Sequence, residues 1–171
     1  MNIKKRIMVD MSATLIHHGH IRLLKKASEY GSVIVGLTND AEIISKKYFR
    51  PELAFEQRKE ILESIKYVSE VVSTPWLIDE RILDEHNIDL LVHGDDNSNS
   101  INADRLQIFP RTSGVSSSKL RQRAQESLTS LNNQKLMLTP GPAVVLHENL
   151  QYLKPLFGRG DEEYSKISNS V

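Results

Sequence analysis

The sequence predicts an open, all-parallel α/β sheet with helices on both faces, and three observations carry this prediction. Strand-like and helix-like segments alternate along the chain. The segment Ser32–Thr38 (SVIVGLT) is rich in β-branched residues and apolar on both faces, as an interior strand of a parallel sheet is. Polar clusters follow the predicted strands, and sheets of this class bind ligands at the carboxyl ends of their strands.

Five apolar segments predict the strands of the sheet. Arg6–Met11 (RIMVDM) is a short apolar run before polar residues, and Asp89–Gly94 (DLLVHG) is a buried run that ends in the polar stretch DDNSNS. In chain order the predicted strands are Arg6–Met11, Ser32–Thr38, the segment EVVS at 70–73, Asp89–Gly94 and Arg105–Pro110. Together they predict a five-stranded, Rossmann-like sheet.

Apolar residues recur at helical spacing between these strands. After His20 one stripe is formed by Ile21, Leu23, Leu24 and Ala27, and Gly31 provides a stop signal. A second helix is expected to bury the side formed by Phe55, Ile61, Leu62 and Ile65. Residues 79–88 predict a short acidic helix, and serines cap a last helix that begins in SSSKLRQRAQ at 116–125. The polar segment Ala41–Pro51 is expected to be irregular.

Composition narrows the class of protein. The 171 residues suit one domain with a short appendage, and 22 Lys and Arg balance 22 Asp and Glu, which argues against a nucleic-acid or membrane-surface partner. There is no cysteine, which excludes disulfides and thiolate zinc sites. The first apolar run is too brief for a secretory signal, and no segment approaches the roughly 20 apolar residues that span a bilayer. We therefore expect a cytoplasmic protein.

The segment His17–His20 (HHGH) places three imidazoles and a glycine where a helix begins. Two imidazoles together with the unpaired amides of a helix start can bind a polyphosphate. Gly19 lets the backbone approach a ligand closely. Taken alone, the pattern is equally compatible with a surface histidine cluster or an incidental metal site.

Four motifs in a fixed order resemble the cytidylyltransferase branch of the nucleotidylyltransferase superfamily, which includes glycerol-3-phosphate and ethanolamine-phosphate enzymes. The first is HHGH followed by IRLLKKASEYGSVIVGLTND. The others are FEQRKEILESIKYVSEVV, which carries Arg58 at the position of the family's arginine, VHGDD at 92–96, and RTSGVSSSKL at 111–120. The resemblance spans roughly residues 5–123 and implies the nucleotidylyltransferase fold.

One departure from the family's pattern points to a subgroup. The family usually has Gly-Thr-Phe-Asp where this chain has Met11-Ser12-Ala13-Thr14, and Thr14 lacks the charge of the usual aspartate. The segment MSATLIHHGH is similar instead to the subgroup found beside phosphoenolpyruvate mutases, which is associated with making phosphonates. The small residues Ser12 and Ala13 keep a backbone role for this loop.

The tail carries a second resemblance. LTPGPAVVLHENLQYLKPLFGRGDEEY is similar to the opening of class V aminotransferases of the 2-aminoethylphosphonate–pyruvate type, which use pyridoxal phosphate. This implies a cytidylyltransferase domain at 1–126, a linker at 127–134 and the truncated start of an aminotransferase-like domain at 135–171. Pyridoxal phosphate would bind only in the missing part of that second domain. The alternative is a turn-rich tail with accidental similarity.

The resemblance implies transfer of CMP from CTP to a small phosphonate or phosphate, with release of pyrophosphate and with Mg²⁺ held mainly by the CTP phosphates. The expected acceptor is 2-aminoethylphosphonate; glycerol 3-phosphate, ethanolamine phosphate and hydroxyethylphosphonate are alternatives. An ATP-using adenylyltransferase and a non-catalytic nucleotide-binding module attached to a transaminase are the other hypotheses. Relatives are often homodimers, and we expect the same here.

The resemblance also implies roles for individual residues. The expected catalytic residues are His17, His20, Lys47 and Arg111. The expected nucleotide-binding residues are Ser12, Ala13, Gly19, Lys46, Gly94, Asp95, Asp96, Thr112, Gly114, Val115, Ser116 and Ser117. Lys47, on the irregular segment, is preferred to Lys46, and His18 is a spacer. Arg58 and His93 are further candidates, although an arginine on an amphipathic helix is usually solvated or ion-paired.

Overall fold

The computed structural model describes residues 4–138, and the predicted aminotransferase-like start beyond residue 138 lies outside them. The chain divides into two units, Met1–Leu120 and Arg121–Val171, and the sheet belongs to the first. None of the helices within residues 4–138 is long and apolar enough to cross a membrane.

Five parallel strands form one sheet, as the sequence predicts. They are β1 (Arg6–Met11), β2 (Ser32–Thr38), β3 (Glu70–Thr74), β4 (Leu90–Gly94) and β5 (Leu106–Phe109). Their order in the sheet is β3-β2-β1-β4-β5, and every neighbouring pair is parallel. The predicted open parallel α/β architecture is therefore confirmed.

Helices connect the strands. They are α1 (His18–Ser28), α2 (Asp40–Lys47), α3 (Phe55–Glu63), α4 (Glu80–Glu85) and α5 (Ser117–Leu138), with a short 3₁₀ turn at Ala103–Arg105. The prediction that Ala41–Pro51 is irregular is wrong, because α2 occupies its first part. Asn39 caps this helix by accepting a hydrogen bond from the Glu42 amide at 2.9 Å, and Ile43 anchors it in the core.

Two apolar clusters cover the two faces of the sheet. Alternate residues of β1 enter different clusters: Ile7 and Val9 pack with Leu24 of α1 and Leu62 of α3, whereas Met8 packs on the opposite face. This alternation explains why interior strands read as continuously apolar. The expected core side of α3 is right for Leu62 and wrong for Ile61, which is 40% exposed.

The last helix extends further than the sequence predicts. Ser116 caps α5, since its Oγ accepts a hydrogen bond from the Lys119 amide at 3.2 Å. Residues 127–134, predicted as a polar linker, lie within the helix. Polar side chains are common on exposed helices, so composition alone does not separate a linker from such a helix.

Candidate active site

The strand order places a crevice between β1 and β4. After β1 the chain continues to β2 on one side of it, whereas β4 pairs with the other side of β1. The connections that follow these two strands therefore diverge, and ligands of such sheets bind where they separate. The segment Ser12–His17 follows β1, and Asp95 and Asp96 follow β4.

His17 and His20 organise the start of α1. The Nδ1 atom of His17 accepts a hydrogen bond from the Gly19 amide at 3.2 Å, and the Nδ1 atom of His20 accepts one from the His17 amide at 3.2 Å. This reciprocal arrangement is a capping box built from two imidazoles. The ring centroids lie 4.0 Å apart, while His18 between them is exposed, which fits its expected role as a spacer.

The capping box fixes the tautomer of both rings. Because each Nδ1 accepts a hydrogen bond from a backbone N–H, the proton of each neutral ring resides on Nε2. Gly19 permits this packing, since a Cβ there would lie 2.9 Å from the His17 ring. The pair therefore offers two Nε2–H donors rather than two bases.

Burial and neighbouring cations hold both histidines in the neutral form. Desolvation, with help from His17, Arg111 and Lys47, lowers the pKa of His20 from 6.5 to about 4. Burial, followed by the influence of His18 and Arg111, also lowers the pKa of His17. Arg111 thus acts on both imidazoles, whereas Lys47 acts on that of His20.

This lowered pKa predicts a pH-dependent stability. Between pH 6.5 and about 4 the unfolded chain protonates His20 while the folded chain does not. The contribution of His20 to the free energy of unfolding is therefore fully present above pH 6.5 and is lost as the pH falls toward 4. His20→Gln keeps an acceptor at this capping position and cannot titrate. We expect wild type to lose about 2 kcal/mol more than H20Q between pH 7 and pH 5, measured by urea unfolding. Parallel losses in both proteins would contradict this account.

Lys47 is the last residue of α2 and turns toward the loop after β1. Its Nζ lies 3.1 Å from the Ser12 hydroxyl and 5.2 Å from the centroid of the Trp76 ring. Lys46 is exposed on the same turn. The structure thus brings Lys47 to the expected site, but from the end of a helix rather than from an irregular segment. Trp76, which follows β3, was missed by the sequence analysis.

Arg111 lies beside the two acidic residues that follow β4. Its guanidinium Nη1 is 2.9 Å from Asp96 Oδ2, and its amide donates a 3.4 Å hydrogen bond to Asp95. Gly94 makes this approach feasible, since a Cβ there would lie 3.2 Å from the Arg111 side chain. The Arg111 side chain is half exposed, so a phosphate can compete with Asp96 for its planar fork.

The remainder of the RTSGVSS segment ties α5 to the start of α1. Ser117 Oγ donates a 3.1 Å hydrogen bond to the Leu15 carbonyl, so Ser116 alone has the expected capping role. Val115 packs near Gly19, and Gly114 adopts a positive φ of 79° that favours glycine. Thr112 is partly buried just before this turn.

Arg58 is not the solvated helix residue that its position suggests. It is fully buried, and its five N–H donors make five hydrogen bonds: to the carbonyls of Leu53, Ser12 and, twice, Thr38, and to the carboxylate of Asp40. No donor remains for a substrate. Asp40, which the sequence analysis missed, also accepts a 3.1 Å hydrogen bond from the Phe55 amide.

His93 belongs to a largely buried polar group at the end of β4, next to the loop at 95–96. Its Nε2 lies 3.5 Å from Asp10 Oδ1, and Asn99 donates a 3.0 Å hydrogen bond to the other oxygen of Asp10. Burial raises the pKa of Asp10, while His93 and the hydrogen bond from Asn99 oppose that change. An aspartate inside the apolar run RIMVDM was a signal for this group that the sequence analysis left unused.

The fold and these residues define a class of protein. A parallel sheet that brings paired imidazole donors and two cations to its switch point is a nucleotide-binding α/β domain suited to chemistry at phosphates. Residues 12–123 match the cytidylyltransferase-like family.

Relatives and a solved structure agree with this class. The glycerol-3-phosphate cytidylyltransferase of Bacillus subtilis (strain 168) is 32% identical over 123 residues, covering 69% of this chain and 95% of that enzyme. The ethanolamine-phosphate cytidylyltransferase of Mus musculus is 33% identical over 127 residues, covering 67% of this chain and 31% of that enzyme. The crystal structure of a lipopolysaccharide core biosynthesis protein from Thermoplasma volcanium GSS1 shares the fold, with a TM-score of 0.56 at 16% identity over 64% of this chain and 98% of that one. The chain therefore belongs to the cytidylyltransferase-like family and is an enzyme of this type.

Proposed function

We propose that the protein transfers CMP from CTP to a small phosphonate or phosphate acceptor and releases pyrophosphate. One observation carries the proposal. The capping box of His17 and His20 presents two Nε2–H donors beside the segment where Lys47 contacts Ser12, and Arg111 lies at the end of the neighbouring strand beside Asp96. Two uncharged N–H donors with two cations match a triphosphate, whose charge spreads over many oxygens.

The reaction needs no covalent intermediate with the enzyme. An acceptor oxygen attacks the α-phosphorus of CTP, and the new P–O bond forms as the bond to the bridging oxygen of the β-phosphate breaks. Pyrophosphate leaves with that electron pair. His17 and His20 donate to oxygens of the reacting phosphate, Lys47 brings attacking and transferred groups together, and Arg111 holds the leaving pyrophosphate.

Mg²⁺ enters this proposal with the nucleotide. Among residues 4–138 no three His, Asp or Glu side chains converge as a ready cation site. Triphosphate oxygens can supply most ligands of a Mg²⁺ ion, which commonly keeps several waters. Bound there, the ion would neutralise charge that develops on the leaving pyrophosphate. Asp95 and Asp96 are the acidic groups nearest to Arg111 and can reach such an ion through water.

We propose 2-aminoethylphosphonate as the acceptor. Two sequence resemblances support a phosphonate: that of MSAT to the phosphonate subgroup and that of the tail to the opening of an aminotransferase. Such an aminotransferase would make the amine that this enzyme activates. The structure adds Trp76, whose ring already has the Lys47 ammonium 5.2 Å from its centroid. When Lys47 turns to the reacting phosphate, as the proposed mechanism requires, this indole face can receive the ammonium group of an acceptor, a role that a hydroxyl does not fill.

A panel of acceptors tests the function. The protein is mixed with CTP, Mg²⁺ and, separately, 2-aminoethylphosphonate, 2-hydroxyethylphosphonate, ethanolamine phosphate or glycerol 3-phosphate, and pyrophosphate is measured. We expect the highest kcat/KM with 2-aminoethylphosphonate and much lower turnover when ATP replaces CTP. Preference for glycerol 3-phosphate would overturn the phosphonate assignment and leave the enzyme class intact. CTP binding without turnover of any acceptor would support the non-catalytic module instead.

A variant of Trp76 tests the basis of amine selectivity. Trp76→Leu removes the ring, so we expect the KM for 2-aminoethylphosphonate to rise about tenfold, with little change for 2-hydroxyethylphosphonate. Trp76→Phe keeps a weaker aromatic face, so its KM for 2-aminoethylphosphonate should lie between those of wild type and Trp76→Leu. Equal changes for both acceptors would show that Trp76 supports the site without recognising the ammonium group.

A further inference from the structure

The segment after β1 contains a backbone conformation that residues other than glycine rarely adopt. Ala13 has a φ of 45°, in the left-handed region, although it carries a Cβ and is 3% exposed. Such a conformation persists only where its surroundings hold it, and it is concentrated at functional sites. Something must therefore fix the backbone on either side of Ala13.

Arg58 holds the peptide bond that precedes Ala13. Its Nη1 donates a 2.6 Å hydrogen bond to the Ser12 carbonyl, and the same guanidinium binds the Thr38 carbonyl at the end of β2. Asp40 balances the charge of this buried group. The Ser12 carbonyl is thus tied to a rigid point where β2, α2 and α3 meet.

Fixing that carbonyl also fixes the Ala13 amide. In a planar trans peptide the C=O and N–H bonds point in opposite directions, so the Ala13 N–H points away from Arg58. It has no hydrogen-bond acceptor among the residues that the structure describes. The Ser12 side chain of the same segment lies against Lys47, on the side where the phosphates are proposed to bind. An unpaired N–H in this position is a donor available to a phosphate oxygen.

We propose that Arg58 is a positioning residue, which fixes the Ser12–Ala13 peptide so that the Ala13 N–H points at the phosphates of the nucleotide. The inference rests on the proposed function, since it assumes that a nucleotide occupies the crevice. Arg58 itself touches no substrate, because its five donors are used within the protein. Asp40 supports this positioning role because it accepts a hydrogen bond from the Arg58 guanidinium.

Arg58→Lys is the first test, with Arg105→Lys as a matched control. Arg105 is also held by several acceptors, Glu80, Asp84 and the Ile88 carbonyl, but Ile88 precedes β4 and so lies at the opposite end of the sheet. Both variants should lower the melting temperature. Only R58K should lower kcat, by at least about tenfold at saturating CTP and acceptor, because the amide donor is no longer aimed. A folded R58K with wild-type kcat would overturn the proposal.

Ala13→Gly provides a readout that a merely structural role would not change. Glycine adopts a positive φ without the help of Arg58. Adding A13G to R58K should therefore recover kcat several-fold, because the strain that alanine carries at this φ is removed. Adding A13G to R105K should give no gain. If A13G fails to raise kcat in R58K, the peptide is not the link between Arg58 and turnover. Should R58K fail to fold, Asp40→Asn replaces it, with the same expected loss, rescue and contradicting result.

The same variants separate this inference from the proposed function. If wild type turns over no acceptor, the proposed function fails, and CTP binding measured by calorimetry becomes the readout. R58K should then bind CTP about tenfold more weakly, while R105K binds it as wild type does. Equal affinity in R58K and wild type would overturn the positioning role.

Discussion

His20→Gln is expected to lower kcat by about 10²–10³-fold while leaving the fold of α1 intact. Glutamine can accept the hydrogen bond from the His17 amide, as Nδ1 of His20 does at 3.2 Å, so the helix start is preserved. The glutamine amide keeps N–H groups, but the rigid placement of the His20 Nε2–H, which the tautomer aims away from the backbone, is lost. A donor to the reacting phosphate acts mainly in the transition state, so the change should appear in kcat rather than in the KM for CTP.

His18→Gln is the matched control for this prediction. His18 is exposed and lies between the two histidines of the capping box, so the same substitution changes neither ring. We expect its kcat to stay within about twofold of wild type and its circular dichroism to match that of H20Q. Equal losses in H18Q and H20Q would mean that the segment acts as a whole rather than through directed Nε2–H donors.

Local patterns made most of the fold predictable. Each strand is a short apolar run, and the pairing of His17 with His20 follows from their spacing on one helix turn. Helix α2 was missed because it buries only Ile43, so it lacks an apolar stripe. Asn39, followed by the acidic residues Asp40 and Glu42, is typical of a helix N-terminus, but the surrounding residues are also polar and the pattern was not recognised.

The contacts that build the site depend on residues far apart in the chain. Arg58 lies 46 residues from Ser12, and nothing in the helix around it reveals that carbonyls from two other segments converge there. The pairing of Arg111 with Asp96 arises because β4 and β5 are neighbours in the sheet. Motif order predicts that such residues share a site, whereas only the fold separates those facing the crevice from those supporting it.

Charge is divided between two kinds of group in this site. The histidines are kept neutral by burial and by the cations beside them, so positive charge rests on Lys47 and Arg111. The neutral histidines can donate hydrogen bonds to phosphate oxygens, while the two cations offset the negative charge of the triphosphate. The division requires Lys47 to lie near His20, and this requirement can be tested directly.

Lys47→Met is expected to lower kcat by about 10²-fold and to raise the pKa of His20 from its lowered value of about 4. The cation near the reacting groups is lost, and with it one of the charges that oppose protonation of His20. Lys46→Met, on the same turn of α2, should cost far less, because Lys47 is the lysine beside Ser12 and Trp76. Steady-state kinetics and NMR titration of the His20 ring measure the two effects. A larger loss in K46M would move the catalytic role away from Lys47. An unchanged His20 pKa in K47M would show that Lys47 does not act on His20.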